Sequence, residues 1–104
     1  MSKFDNVTLI RDINVYFDGG VTSRTVVFTD GSTKTLGVMN PGEYEFGTAK
    51  KELMEIQSGD LDVMLPGHTE WQNVKGGQEF RVSANAKFQV KVNQLTDYCC
   101  SYLD

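Results

Sequence analysis

The feature that most constrains this chain is a two-residue apolar rhythm, interrupted every few residues by glycine-containing turns. Apolar side chains take alternate positions in Thr35-Leu36-Gly37-Val38-Met39, Leu53-Met54-Glu55-Ile56-Gln57 and Leu61-Asp62-Val63-Met64-Leu65. The rhythm returns in Glu79-Phe80-Arg81-Val82 and in Lys87-Phe88-Gln89-Val90-Lys91-Val92. This is the period of a strand with one buried face. Between the runs stand Asp18-Gly19-Gly20, Asp30-Gly31, Asn40-Pro41-Gly42, Ser58-Gly59-Asp60, Pro66-Gly67 and Lys75-Gly76-Gly77. Glycine supplies the backbone conformations that tight turns need. The one helix-compatible stretch, Thr48 to Glu52, is too short to be more than a turn. Short strands at regular spacing predict an all-β sandwich or barrel.

A chain of 104 residues fits one domain, 1–104, with residues 1–13 expected as a mobile N-terminal segment. Hydrophobic residues make up 39% of it, enough for one ordinary core without staples. The formal net charge of −4 argues against a nucleic-acid groove and a polybasic membrane contact, since both need a clustered cationic face. It leaves room for a small anionic ligand, which needs only a few local donors. No apolar run approaches the roughly 18 residues of a spanning helix. The start, Met1-Ser2-Lys3-Phe4-Asp5-Asn6, has no apolar stretch of the signal-peptide kind. Cys99 and Cys100 are sequence neighbours, and a bridge between neighbours is strained and closes almost no loop. Two free thiols in a reducing, cytoplasmic setting are expected.

The order of strands and turns resembles a cupin. A cupin is marked by a glycine, a His-x-His pair, a glutamate, six residues and a second glycine. A later motif runs from a glycine through five residues to a turn and a late histidine. Here Glu52 is followed by six residues and Gly59, and Gly77 by five residues and Ser83-Ala84-Asn85. The metal ligands are replaced. Phe46 and Thr48 take the His-x-His positions and Phe88 takes the late histidine position, so Glu52 alone remains of the set. A catalytic first-row metal needs about three protein ligands, so no metal is expected. The single histidine, His68, falls in a predicted turn outside the inward register.

A narrower resemblance rests on an ordered set of motifs. These are Gly37-Val38-Met39, Gly42-Glu43-Tyr44-x-Phe46, Thr48-Ala49, Glu52-x-Met54, Ser58-Gly59-x-Leu61-x-Val63, Leu65-Pro66 and Trp71-Gln72. The ending Thr96-x-Tyr98-x-Cys100-x-Tyr102-Leu103 completes the set. Together they resemble the pyrimidine/purine nucleoside phosphorylase family of small single-domain cupins, from about Asn14 to Leu103. The match is weakest before Asn14 and in the Val21 to Thr33 hairpin.

The resemblance implies an all-β, single-domain, cupin-type β-barrel (a jelly roll). It also implies a metal-independent pentosyltransferase that uses inorganic phosphate as co-substrate and no cofactor. Its range would cover adenosine, guanosine, inosine, uridine, cytidine, thymidine and xanthosine, giving free base and pentose 1-phosphate. A metal-free cupin that binds a sugar or small metabolite without catalysis is the competing reading. A structural module with a filled barrel is a third. A homodimer is expected, because the apolar ending Tyr98 to Leu103 has reason to be covered.

Phosphorolysis must hold phosphate near C1′, stabilise an oxocarbenium-like sugar and let the base depart. On the motif alignment Tyr44, Phe46, Thr48, Glu52, Met54 and Phe88 line the cavity. Glu52 and Tyr44 are the candidate catalytic groups; Phe46, Thr48, Met54 and Phe88 are candidates for binding the nucleoside. If Leu36 and Val38 face inward, Lys34 shares their face and attracts phosphate. Arg81, between Phe80 and Val82, points out. Each residue also has a purely structural reading. Phe46, Met54 and Phe88 can be plain core, Lys34 a solvated charge, Tyr44 a hydroxyl at the rim, and Glu52 a buried carboxylate bonded to backbone or hydroxyls. Trp71-Gln72 reads as a packing corner or a dimer contact.

Overall fold

The strands form where the rhythm places them. The computed structural model describes residues 2–103, so Met1 and Asp104 lie outside the described residues. It contains β1 (Thr8–Leu9), β2 (Asn14–Tyr16), β3 (Val21–Val27), β4 (Thr33–Met39), β5 (Gly42–Gly47) and β6 (Lys51–Ser58). There follow β7 (Asp60–Met64), β8 (Gln72–Lys75), β9 (Glu79–Val82), β10 (Lys87–Val92) and β11 (Thr96–Leu103). A single 3-10 turn, Phe17–Gly19, interrupts them among the described residues.

Two antiparallel sheets result. In the large one β1 and β2 both pair with β3, and β4, β11, β6 and β9 follow in that order. The small one runs β5, β10, β7, β8. Their inner faces meet in one core, with Val21, Met39, Met54 and Ile56 from the large sheet against Leu61, Val63, Val90 and Val92 from the small one. Phe80 and Phe88 touch edge to face across the gap, with centroids 6.1 Å apart. The all-β cupin-like architecture is therefore present, but as a sandwich and not as a closed barrel. Alternation tells which side chains point in; it carries no information on whether the outermost strands bond to each other.

The phase of β4 corrects one expectation. Thr35 and Met39 are buried on the inner face, which turns Lys34, Leu36 and Val38 to the outer face. Both faces of this strand carry apolar residues, so its period alone admits either phase. The outer face has its own cover. Ile13 lines an outer recess with Leu36 and Val38, and Phe4 lines another with Leu36. Phe4 packs edge to face on Phe28 at 5.2 Å, and β1 pairs Thr8 and Leu9 with Val27 and Val26. Of residues 1–13, expected as a mobile N-terminal segment, those described contribute a strand and an aromatic anchor, while Met1 lies outside the described residues.

Strand alternation also separates the two thiols. Cys99 and Cys100 are both free and both buried. Cys100 joins the inner core, so its neighbour Cys99 projects to the opposite face of β11. One turn is closed by a glycine that no other residue replaces easily. Gly59 has φ +113°, and a Cβ there would meet the Thr96 side chain and sit 2.8 Å from the Leu95 carbonyl oxygen.

Candidate functional site

Between the sheets, toward one edge, the core opens into a cavity of about 240 Å³. The large sheet supplies Ser23, Thr35, Met39, Glu52, Met54, Tyr98, Cys100 and Tyr102. The small sheet faces them with Phe46, Gly47 and Phe88, and Tyr16 closes the side. The register explains the convergence. Thr35 pairs with Cys100 and Cys100 with Met54, while Tyr102 pairs with Glu52. Paired residues share a face, so a hydroxyl, a thiol, a phenol and a carboxylate project together.

Glu52 is the acidic member of this set. The Cys100 thiol donates to its Oε1 at 3.6 Å. Burial pushes the Glu52 carboxyl above its ordinary range, and the hydrogen bond from Cys100 only partly opposes that. Burial also raises Cys100 to about 12 and Tyr102 to about 12, so both stay protonated near neutral pH. Tyr98 is raised further by the same cause. The Tyr102 hydroxyl lies 3.4 Å from Thr35 Oγ1. At the other end Asn14 Nδ2 donates to Ser23 Oγ at 3.2 Å and to Thr25 Oγ1 at 3.3 Å. The large-sheet wall is thus a band of neutral hydrogen-bonding groups around one carboxyl.

The opposite wall is aromatic. Phe46 and Phe88 stack at 5.5 Å with an interplanar angle of 25°. Phe88 is 3% exposed and belongs to the core, whereas Phe46 is half-buried and presents its ring to the cavity. Phe17 clasps this wall from outside, 4.9 Å from Tyr44 and 5.4 Å from Phe46. It does so from an unusual backbone, since Phe17 and Asp18 both sit at positive φ, 53° and 54°. Non-glycine residues rarely hold that conformation unless packing fixes it. The clasp ties the β2 edge of the large sheet to the β5 edge of the small one.

Five of the predicted residues fall around this space and two of the expected contacts do not form. Glu52, Phe46, Met54 and Phe88 line the cavity. Tyr44 stands beside it, but its hydroxyl donates to the Asn40 carbonyl at 2.7 Å, so it holds the β4–β5 corner at the rim. Thr48 is buried away from the cavity. Its hydroxyl donates to the Ser83 carbonyl at 2.7 Å and accepts from the Ala86 amide at 3.1 Å. Both of its hydrogen-bonding roles are filled by main chain. Lys34 is on the outer face, its Nζ 5.4 Å from the Phe4 ring centroid and 5.7 Å from that of Phe28. Arg81 points out as expected and is exposed. Trp71 is held from the small sheet's outer side, with Lys91 Nζ 4.3 Å above its ring.

Tyr16, Ser23, Thr35, Tyr98, Cys100 and Tyr102 also line the cavity, beyond the positions that the motif alignment puts there. For the last three a signal existed. Thr96-x-Tyr98-x-Cys100-x-Tyr102 is a period-two run, and reading it as a strand puts all four on one face.

A metal of the usual cupin kind does not fit here. Phenyl rings occupy two of the ligand positions and Thr48 is spent on main chain. Among the described residues no three histidine, cysteine or carboxylate side chains gather within reach of one ion. His68 is exposed in the turn after β7. No helix among the described residues is long and apolar enough to cross a membrane.

Comparison with known proteins places the geometry in a group. The family described as pyrimidine/purine nucleoside phosphorylase matches residues 11–102. A protein of that name from Geotalea uraniireducens (strain Rf4) is 66% identical over 104 residues, the whole of both chains. Another from Geobacter sulfurreducens is 63% identical over 99% of each chain. A crystal structure of a protein of unknown function from Acinetobacter sp. ADP1 superposes with a TM-score of 0.94 at 41% identity, covering 97% of this chain and 98% of that one. A cupin superfamily protein from Desulfitobacterium hafniense has a TM-score of 0.65 at 13% identity, covering 81% of this chain and 78% of that one, and so shares the fold alone.

Proposed function

Because this chain belongs to the pyrimidine/purine nucleoside phosphorylase family, we propose that it cleaves purine and pyrimidine nucleosides with inorganic phosphate. A phosphate oxygen bonds to C1′ as the C1′–N bond breaks. The bonding pair leaves with the base, which takes up a proton, and pentose 1-phosphate remains. The observation that carries this reading is a half-buried carboxyl, Glu52, in one cavity with the aromatic wall of Phe46 and Phe88. An aromatic face stacks any base without reading its edge, which suits a broad range including adenosine, guanosine, inosine, uridine, cytidine, thymidine and xanthosine. Glu52, when ionised, faces the positive charge that develops on the sugar ring. The neutral Thr35 hydroxyl, which lines the same cavity, suits the ribose hydroxyls. No step calls for a metal.

The working unit in this reading is a cytoplasmic homodimer. Two buried free thiols suit a reducing compartment, and Leu9, Ile13 and Val15 are each about half exposed along one edge, ready for cover by a second copy.

The test is direct. Chelator-treated protein is incubated with a nucleoside panel, with and without inorganic phosphate, while free base and pentose 1-phosphate are followed. Release of several bases that needs phosphate and survives the chelator is expected. Tight binding of a sugar or nucleoside with no base release would replace the proposal with a non-catalytic metabolite-binding cupin.

A further inference from the structure

The cavity is small for the work assigned to it. At about 240 Å³ it falls below the roughly 300–1,000 Å³ usual for ligand pockets, yet two substrates must meet there. A second recess of about 360 Å³ adjoins it, lined by Thr33, Ala49, Lys50, Glu52 and Tyr102. Glu52 and Tyr102 line both spaces. They are cross-strand partners in β6 and β11, so the boundary between the spaces is built on two paired strands.

The two spaces differ in chemistry. Among the described residues, the cavity carries the aromatic wall and no lysine or arginine. Among them the recess carries Lys50, two hydroxyl-bearing side chains and no ring other than Tyr102. We infer that the recess is the phosphate subsite, with Lys50 supplying the positive charge and the Thr33 and Tyr102 hydroxyls donating to phosphate oxygens. This rests on the phosphorylase reading and extends it to a residue that the motif frame does not mark. Phosphate in the recess and nucleoside in the cavity would bring nucleophile and C1′ together beside Glu52.

Two features support the assignment. The Tyr102 phenol, raised to about 12, keeps its proton and remains a donor near neutral pH. Glu52 and Tyr102 are register partners that line both spaces, so an anion in the recess sits against the side chains that also face the cavity. Lys34, the cation first expected to attract phosphate, lies on the other face of β4 and cannot serve.

The experiment is calorimetric titration of inorganic phosphate into the full chain without nucleoside. It compares wild type with Lys50→Gln, Lys50→Arg and, as a control on general charge, Lys75→Gln, with thermal melts to verify folding. Wild type should bind phosphate, and Lys50→Gln should weaken binding by about tenfold or more, as loss of one charge-assisted hydrogen bond implies. Lys50→Arg should stay within about threefold of wild type, and Lys75→Gln should match it. No binding by wild type, or equal binding by Lys50→Gln, overturns the subsite. Base release assayed in parallel separates the two claims. Lys50-dependent phosphate binding with no base release would keep the subsite and remove the phosphorylase reading. Phosphate-dependent release with an unchanged phosphate KM in Lys50→Gln would do the reverse.

Discussion

The Cys100 thiol lies 3.6 Å from Glu52 Oε1, one strand across the large sheet, and donates a hydrogen bond to that carboxyl. A thiol is a weak donor, so it compensates little for the water that Glu52 gives up. The carboxyl is consequently raised by burial, because the folded protein solvates its charged form less well than water does.

Linkage fixes the sign of the consequence. A carboxyl raised in the folded state contributes stability that is present below its unfolded value, ordinarily about 4.3, and lost as pH rises through the folded one. Glu52→Gln removes that dependence. Melting temperatures of the two proteins should converge in acid, and the variant should gain on wild type as pH rises toward neutrality. Its turnover should fall well beyond any change in stability. A variant that loses stability steadily toward neutral pH would show that the ionised carboxylate is favourably paired.

The thiols give a second prediction. Burial raises both Cys99 and Cys100, the latter to about 12, and the two side chains leave opposite faces of β11. Only the thiolate reacts with a disulfide reagent. Titration of native protein near pH 8 should show no fast-reacting thiol, and the same protein in denaturant should show two. A fast native phase would mean that the outer-face cover over Cys99 opens readily.

Thr48 offers a third. Its side-chain oxygen serves the Ser83 carbonyl and the Ala86 amide at once, pinning the β5–β6 connection to the turn before β10. Thr48→Val keeps the shape and leaves both main-chain groups short of a partner, a cost of about 1–3 kcal/mol. Denaturant titration should register that loss, while nucleoside KM stays near wild type because Thr48 does not line the cavity. A large rise in KM at unchanged stability would return Thr48 to the binding residues.

Much of this arrangement is legible before any coordinates. The runs at Leu53–Gln57, Leu61–Leu65, Glu79–Val82 and Lys87–Val92 fall within or overlap β6, β7, β9 and β10, because one face of each is buried and the other wet. Glu52 and Phe46 reach the cavity through the same logic, carried by their motif positions. The failures share a cause. Lys34 escapes the reading because the outer face of β4, with Leu36 and Val38, is the more apolar one, and Thr48 because a strand period stops meaning anything where the strand ends. Lys50 sits in the bend between β5 and β6, where no periodicity operates. Phe17 holds a positive φ that nothing in its own chemistry favours; only its packing on Tyr44 and Phe46 accounts for it.

The aromatic pair separates packing from recognition. Phe88 is 3% exposed and packs on Phe80 as well as Phe46, so Phe88→Ala should cost about 3–5 kcal/mol and endanger the fold. Phe46 is half-buried, with its ring toward the cavity, and gives up less on truncation. Phe46→Leu keeps most of the apolar volume while removing the stacking face. Its melting temperature should stay close to wild type. Its KM should rise severalfold for purine and pyrimidine nucleosides alike, with phosphate KM little changed, since a stacking wall discriminates weakly among bases and does not touch the recess. A rise confined to one base class would mean that Phe46 meets a particular edge or substituent. An equal rise in phosphate KM would mean that the two subsites are not divided at Glu52 and Tyr102.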